Sequence, residues 1–166
     1  MLTQKMIQRL NEQVNLEMYS SNIYLAMSAW CANKGLNGSA AFLKNHSKEE
    51  LSHAYKLFDY INETGAIATI DHINKPQSEF ENLQDVFERT YNHELLVSKS
   101  ILELVDSALG EKDYSTFNFL QWYVSEQHEE EKLFKEILDK FEIIGMEGRG
   151  LFMIDREIAA LLTIAH

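Results

Sequence analysis

Three observations predict an all-α fold, a four-helix bundle with one long crossover and a short fifth helix near the C-terminal end. Helix breakers are gathered at a few points: the one proline is Pro76, and the seven glycines fall at 35, 38, 65, 110, 145, 148 and 150. Four long uninterrupted stretches lie between them. No alternating Val/Ile/Thr run bounded by hairpin turns is present, so strands are not expected. The connections run short, long, short, the pattern of two helical hairpins joined by a crossover.

The first helix is expected over about Gln4 to Asn33, with an inward line of Leu10, Val14, Glu17, Ser21, Tyr24 and Ser28. The second, from about Ser39 to Thr64, turns Leu43, His46, Glu50, His53, Leu57 and Ile61 inward. The tight connection Lys34 to Gly38 makes these two antiparallel neighbours. The third runs from about Leu83 to Leu109, with Leu83, Phe87, Thr90, Glu94, Val97, Ile101 and Val105 inward. The fourth, about Tyr114 to Ile144, carries Leu120, Tyr123, Gln127, Glu130, Phe134, Ile137 and Phe141, and the short turn Gly110 to Asp113 pairs it with the third. A fifth, shorter helix follows Gly150, over about residues 151–162. The linker Gly65 to Asn82 has about 18 residues, and at ~3.3 Å per residue it reaches ~60 Å, against ~40 Å for a helix of about 26 residues. It can therefore run the length of the bundle and start the third helix parallel to the second. Residues 1–166 are read as a single domain, because this length at 45% hydrophobic and 25% charged residues suits one core.

Twenty-six acidic residues against fifteen basic ones give a net charge of −11, a field that repels nucleic acid and anionic lipid and attracts cations. The single cysteine, Cys31, excludes an internal disulfide, and the N-terminal MLTQKMIQRLNEQ is amphipathic without the apolar run of a signal peptide. These features point to a cytoplasmic protein. No uncharged apolar run approaches the roughly 20 residues a membrane span needs.

All four inward lines turn polar near mid-helix, at Glu17, at Glu50 and His53, at Glu94, and at Gln127 and Glu130. A lone helical glutamate is usually a solvated surface residue, and a lone helical histidine is usually structural. Four carboxylates converging at one level of a core are different, because they repel strongly unless cations sit between them. Two divalent ions would balance them. Oxygen ligands with one imidazole suit Fe(II), Mn(II) or Zn(II), and Glu50-x-x-His53 has the i, i+3 spacing of dinuclear carboxylate sites in helical bundles.

The stretches NEQVNLEMYSSNIY (11 to 24), KEELSHA (48 to 54) and FNFLQWYVSEQHEEEKLFK (117 to 135), with the closing GLFMID, resemble bacterial non-haem ferritin over essentially the whole chain. The resemblance implies a ferritin-like bundle, a shell of 24 subunits, oxidation of Fe(II) by O2 or hydrogen peroxide at a diiron ferroxidase centre, and storage of Fe(III) as an oxyhydroxide mineral. Carried over by position, it implies that Glu17, Glu50 and His53 bind the first iron, that Glu50 bridges, and that Glu94 and Glu130 bind the second. Gln127 would hydrogen-bond near bound oxygen. Bacterioferritin and rubrerythrin carry a second Glu-x-x-His on the fourth helix, whereas this chain has Gln127 and Glu130 there. Leu51 stands where bacterioferritin has its haem-ligating methionine, so haem is not expected.

SEQHEEEK, Ser125 to Lys132, presents two faces. Gln127 and Glu130 share the diiron line, while Glu126 and Glu129 lie one step around the helix. The resemblance implies a third iron just inside the shell, held by Glu49, Glu126 and Glu129 with Glu130 shared; a cavity-facing cluster with no defined ion is the alternative. Tyr24 stacks on the face of Glu17, within reach of a site carboxylate or of an electron transfer, with core packing as the competing reading. Trp122 reads as packing and Cys31 as a small buried residue near a helix end. Three other readings stay open: a storage shell whose mineral surface does the oxidation, a structural bundle holding Zn(II), and a different diiron oxidoreductase.

Overall fold

A computed structural model describes residues 2–162, and the described residues contain five helices and no strand. Helix α1 spans Gln4–Asn33, α2 Asn37–Glu63, α3 Leu83–Gly110, α4 Tyr114–Ile144 and α5 Arg149–Leu161. Side-chain caps set three of the starts. Thr3, Asn82 and Asp113 accept hydrogen bonds from the backbone N–H of Met6, Asp85 and Thr116, satisfying amides that a helix leaves unpaired in its first turn.

Cross-helix bonds fix the directions. Along α1, Ser21 bonds to Ser47 and Ser28 to Ala40 of α2, so the partner number falls as the α1 number rises. Against α3 the order also falls, with Thr3 bonded to Glu111, Gln13 to Ser100, Ser20 to His93 and Met27 to Thr90. Helix α1 is thus antiparallel to both α2 and α3, and α2 and α3 run parallel. Only a crossover along the bundle can join them. That crossover is stitched onto α1 by two asparagines: Asn11 Oδ1 accepts from Thr69 N and Asn15 Oδ1 from Asp71 N, both at 2.8 Å.

The expected inward lines are buried, with one correction. Val105 is only partly buried, and Leu104 and Ala108 take the core positions at that end of α3. A line drawn at strict i, i+3/i+4 steps slips by one residue here, because the helix period is 3.6. The second helix also starts earlier than expected, at Asn37, and Gly38 belongs to its first turn. Its amides are capped from α5: Asp155 accepts from Gly38 N, Ser39 N and Ser39 Oγ at 3.0, 2.7 and 2.7 Å. A Cβ at position 38 would lie 2.2 Å from the Asp155 carbonyl oxygen, so only glycine permits this approach.

The apolar interior is divided. One cluster, around Tyr24, Met27, Cys31, Phe42, Phe87 and Phe134, packs with α5 through Ile154 and Ile158. The other, around Leu10, Val14, Leu57, Ile101 and Tyr123, fills the opposite end. Each fully buried Leu, Ile or Phe contributes roughly 1.5–3 kcal/mol. Between the clusters lies a polar level.

Candidate metal centre

Helix α1 brings Glu17 to this level, α2 brings Glu50 and His53, α3 brings Glu94, and α4 brings Gln127 and Glu130. All six are buried, Glu17 and Glu94 completely. Nδ1 of His53 lies 3.9 Å from Glu17 Oε2 and 3.7 Å from Glu50 Oε2, and these three side chains each place a donor atom within 4.8 Å of the others. Nε2 of the same ring faces Glu126 Oε1 at 3.7 Å. A carboxylate behind the far nitrogen is the usual way to orient a metal-binding histidine.

Glu94 is arranged differently. Tyr24 donates to its Oε1, and Gln127 Nε2 donates to its Oε2 at 3.0 Å. Tyr24 therefore reaches a site carboxylate, although its ring also stacks on Phe134 and serves the core.

The remaining acidic residues line a surface cavity of about 620 Å³ containing His46, Glu49, Glu126, Glu129 and Glu130. Glu129 is exposed, while Glu49 and Glu126 are half-buried. A residue with no role assigned from sequence joins this group. His46 Nε2 meets Glu130 Oε2 at 3.1 Å, and His46 Nδ1 lies 3.6 Å from Glu49 Oε2, so one imidazole spans the buried level and the cavity. Its signal in the sequence is its place four residues before Glu50 on the inward line. Trp122, partly buried, stacks on Tyr123 with Lys56 Nζ 3.6 Å above its ring centroid. Cys31 is wholly buried, and burial followed by the charge of Asp155 pushes its thiol up to about 12.

The electrostatics are those of an anionic site removed from water. Burial raises the Glu17 carboxyl well above the usual range, with the charge of Glu50 next in weight. Burial and then the charge of Glu94 raise Glu50, and burial and then the charge of Glu130 push Glu94 up to about 7. At His46, burial disfavours the imidazolium, but the hydrogen bond and charge of Glu130 outweigh it and raise the pKa.

Among the described residues, the buried side-chain polar atoms without a hydrogen-bond partner are Glu17 Oε2, His46 Nδ1, His53 Nδ1, Trp122 Nε1 and the Tyr123 hydroxyl. The first three are potential metal donors gathered at or beside one level of the core. Leaving such atoms unpaired is costly, and a divalent cation would satisfy them. The donor set fits a hard or borderline divalent ion.

Comparison with known proteins agrees with this architecture. Residues 7–144 match the family described as Ferritin-like domain. The chain is 54% identical over 165 residues to a bacterial non-heme ferritin-like protein of Haemophilus influenzae, covering 99% of this chain and 100% of that one. It is 51% identical over 163 residues to a bacterial non-heme ferritin of Escherichia coli, covering 98% and 99%. Among solved structures, Chlorobium tepidum ferritin superposes with a TM-score of 0.86 at 52% identity, covering 95% and 97% of the two chains. An open pore ferritin of Archaeoglobus fulgidus does so with a TM-score of 0.93 at 40% identity, covering 95% and 96%. Matched by the family model over residues 7–144 and 51–54% identical to these relatives over nearly its whole length, the chain belongs to the bacterial non-haem ferritin family.

Proposed function

We propose that the chain is a cytoplasmic iron-storage protein that oxidises Fe(II) to Fe(III) at a diiron ferroxidase centre within each subunit. The ferric product is deposited as oxyhydroxide inside a shell of 24 copies. The observation that carries this reading is the meeting of Glu17, Glu50 and His53 in a dry core, with the donor atoms Glu17 Oε2 and His53 Nδ1 left unpartnered.

In this reading Glu17, Glu50 and His53 take the first Fe(II), Glu50 extends to the second, and Glu94 and Glu130 complete it. The raised carboxyl pKa values mean that metal binding displaces protons from the site. The two Fe(II) give one electron each, and with two protons these reduce O2 to hydrogen peroxide, or hydrogen peroxide to water. The added positive charge is balanced by oxide or hydroxide formed from water, which releases protons. Gln127 and Tyr24 favour the ionised form of Glu94 while the charge changes. The inner-face group of Glu49, Glu126, Glu129 and the shared Glu130, with His46 between the two levels, suits a third iron on its way to the mineral.

The test is native mass together with iron content after aerobic Fe(II) loading. A large shell that retains iron, with a fast oxidation phase saturating near about two irons per subunit, supports the reading. Glu50→Ala or Glu130→Ala should abolish the fast phase and leave slow mineralisation. A small iron-free species would overturn storage. A fast phase unchanged in both variants would move the oxidation to the mineral surface.

A further inference from the structure

Glu17 is held by two hydrogen bonds in series that cross from α3 to α1. Gln13, buried one turn before Glu17, donates from Nε2 to Glu17 Oε1 at 2.5 Å, and Ser100 Oγ donates to Gln13 Oε1 at 2.6 Å. The partners dictate the sense of the amide. When a metal ion holds Glu17 ionised its carboxylate only accepts, so the NH2 group must face Glu17, and the amide oxygen is left for the Ser100 hydroxyl. With Oε1 engaged, Oε2 is the atom of Glu17 left without a partner, and it is also the one 3.9 Å from His53 Nδ1. The same device recurs at Glu94, where the Gln127 amide grips one oxygen. A glutamine only 1% exposed would be a poor core filler unless both ends of its amide were satisfied, and here both are.

Resting on the proposed role of Glu17 as an iron ligand, we propose that Gln13 is a positioning residue that holds Glu17 by Oε1 and presents Oε2 to the ion shared with Glu50 and His53, with Ser100 anchoring the far end of the Gln13 amide. A polar residue kept only for packing would not select between the two oxygens of Glu17. Gln13 does.

The experiment is Co(II) titration of the metal-free assembled protein, followed by the visible bands of the bound ion. Gln13→Met keeps the side-chain length and removes the donor. It should weaken the first Co(II) by about tenfold to hundredfold, the usual range for a partner behind a metal ligand, and shift its absorption. Glu17→Ala should weaken the same ion, and the double variant Glu17→Ala/Gln13→Met should be no weaker than Glu17→Ala alone, because Gln13 acts through Glu17. Ser100→Ala should give a smaller loss that Ser100→Thr restores, which keeps the test decisive if Gln13→Met fails to assemble. Parent affinity and spectrum in Gln13→Met and Ser100→Ala, with Glu17→Ala impaired, would overturn the positioning role alone. An unimpaired Glu17→Ala would instead overturn the ligand assignment beneath it.

Discussion

The Tyr24 hydroxyl donates to Oε1 of Glu94 across the seam between α1 and α3. This bond and the one from Gln127 favour the ionised carboxylate and work against burial and the charge of Glu130, which leave it at about 7. Tyr24→Phe should therefore raise the Glu94 carboxyl by about one to two pH units, the equivalent of a hydrogen bond to a charged group. Iron binding then has to displace a more tightly held proton. Stopped-flow measurement of the first oxidation phase should show a larger slowing at about pH 6 than at about pH 8. Equal slowing at both would assign Tyr24 an effect unrelated to Glu94 ionisation.

The two faces of α4 separate in a second prediction. Changing Glu49 and Glu129 together to alanine, with Glu126 kept behind His53, should leave the first two irons bound but alter the number of irons oxidised per O2 and the rate at which the centre refills. Anomalous diffraction from iron-soaked crystals of the parent should show a peak in the cavity beside His46. Two peaks at every loading would remove the third site.

Stability should depend on pH in opposite senses with and without metal. Glu17, Glu50 and Glu94 have folded-state pKa values raised above the ordinary range. A raised carboxyl binds more protons folded than unfolded, so its stability is complete below about pH 4.3 and is lost as pH climbs through the folded value. For Glu94, with a folded value of about 7, the loss is on the order of 3 kcal/mol. Bound Zn(II) favours the ionised carboxylates, and its contribution grows with pH. Thermal melts of metal-free and Zn(II)-loaded protein, with sizing to confirm assembly, should diverge between about pH 5 and pH 8. Parallel curves would mean that these carboxylates are solvated.

Asp155 offers a test remote from metal. Its carboxylate caps α2 from α5, so Asp155→Ala should cost about 1–2 kcal/mol, the usual scale for a lost helix cap. At roughly 2–4 °C per kcal/mol the melting temperature should fall by several degrees, while the first phase of Fe(II) oxidation is unchanged.

Helix placement was legible in the sequence because breakers and apolar period act locally. The length of the crossover permitted the parallel relation of α2 and α3, and the cross-helix bonds of α1 establish it. The omissions share a cause in tertiary contact, whereas the one slip of register is local. Gly38 reads as loop punctuation until Asp155, far along the chain, is seen to cap the helix it opens. Val105 yields its core place to Leu104 because period arithmetic drifts near the end of α3. Gln13 lies one turn before Glu17, and that spacing was its only local signal; the partner that gives it direction is Ser100, on another helix. His46 stood on the inward line with Glu49 three residues on, yet only the packing of α2 against α4 shows that its other nitrogen meets Glu130.

The division of the polar level between two hairpins bears on how the chain folds. Glu17, Glu50 and His53 all belong to the α1–α2 hairpin, whose contacts are local and can form early, before the crossover has closed. Glu94, Gln127 and Glu130 arrive only when the α3–α4 hairpin docks. Docking is therefore the step that crowds the negative charges, and a divalent ion already seated on the first hairpin would lower its barrier.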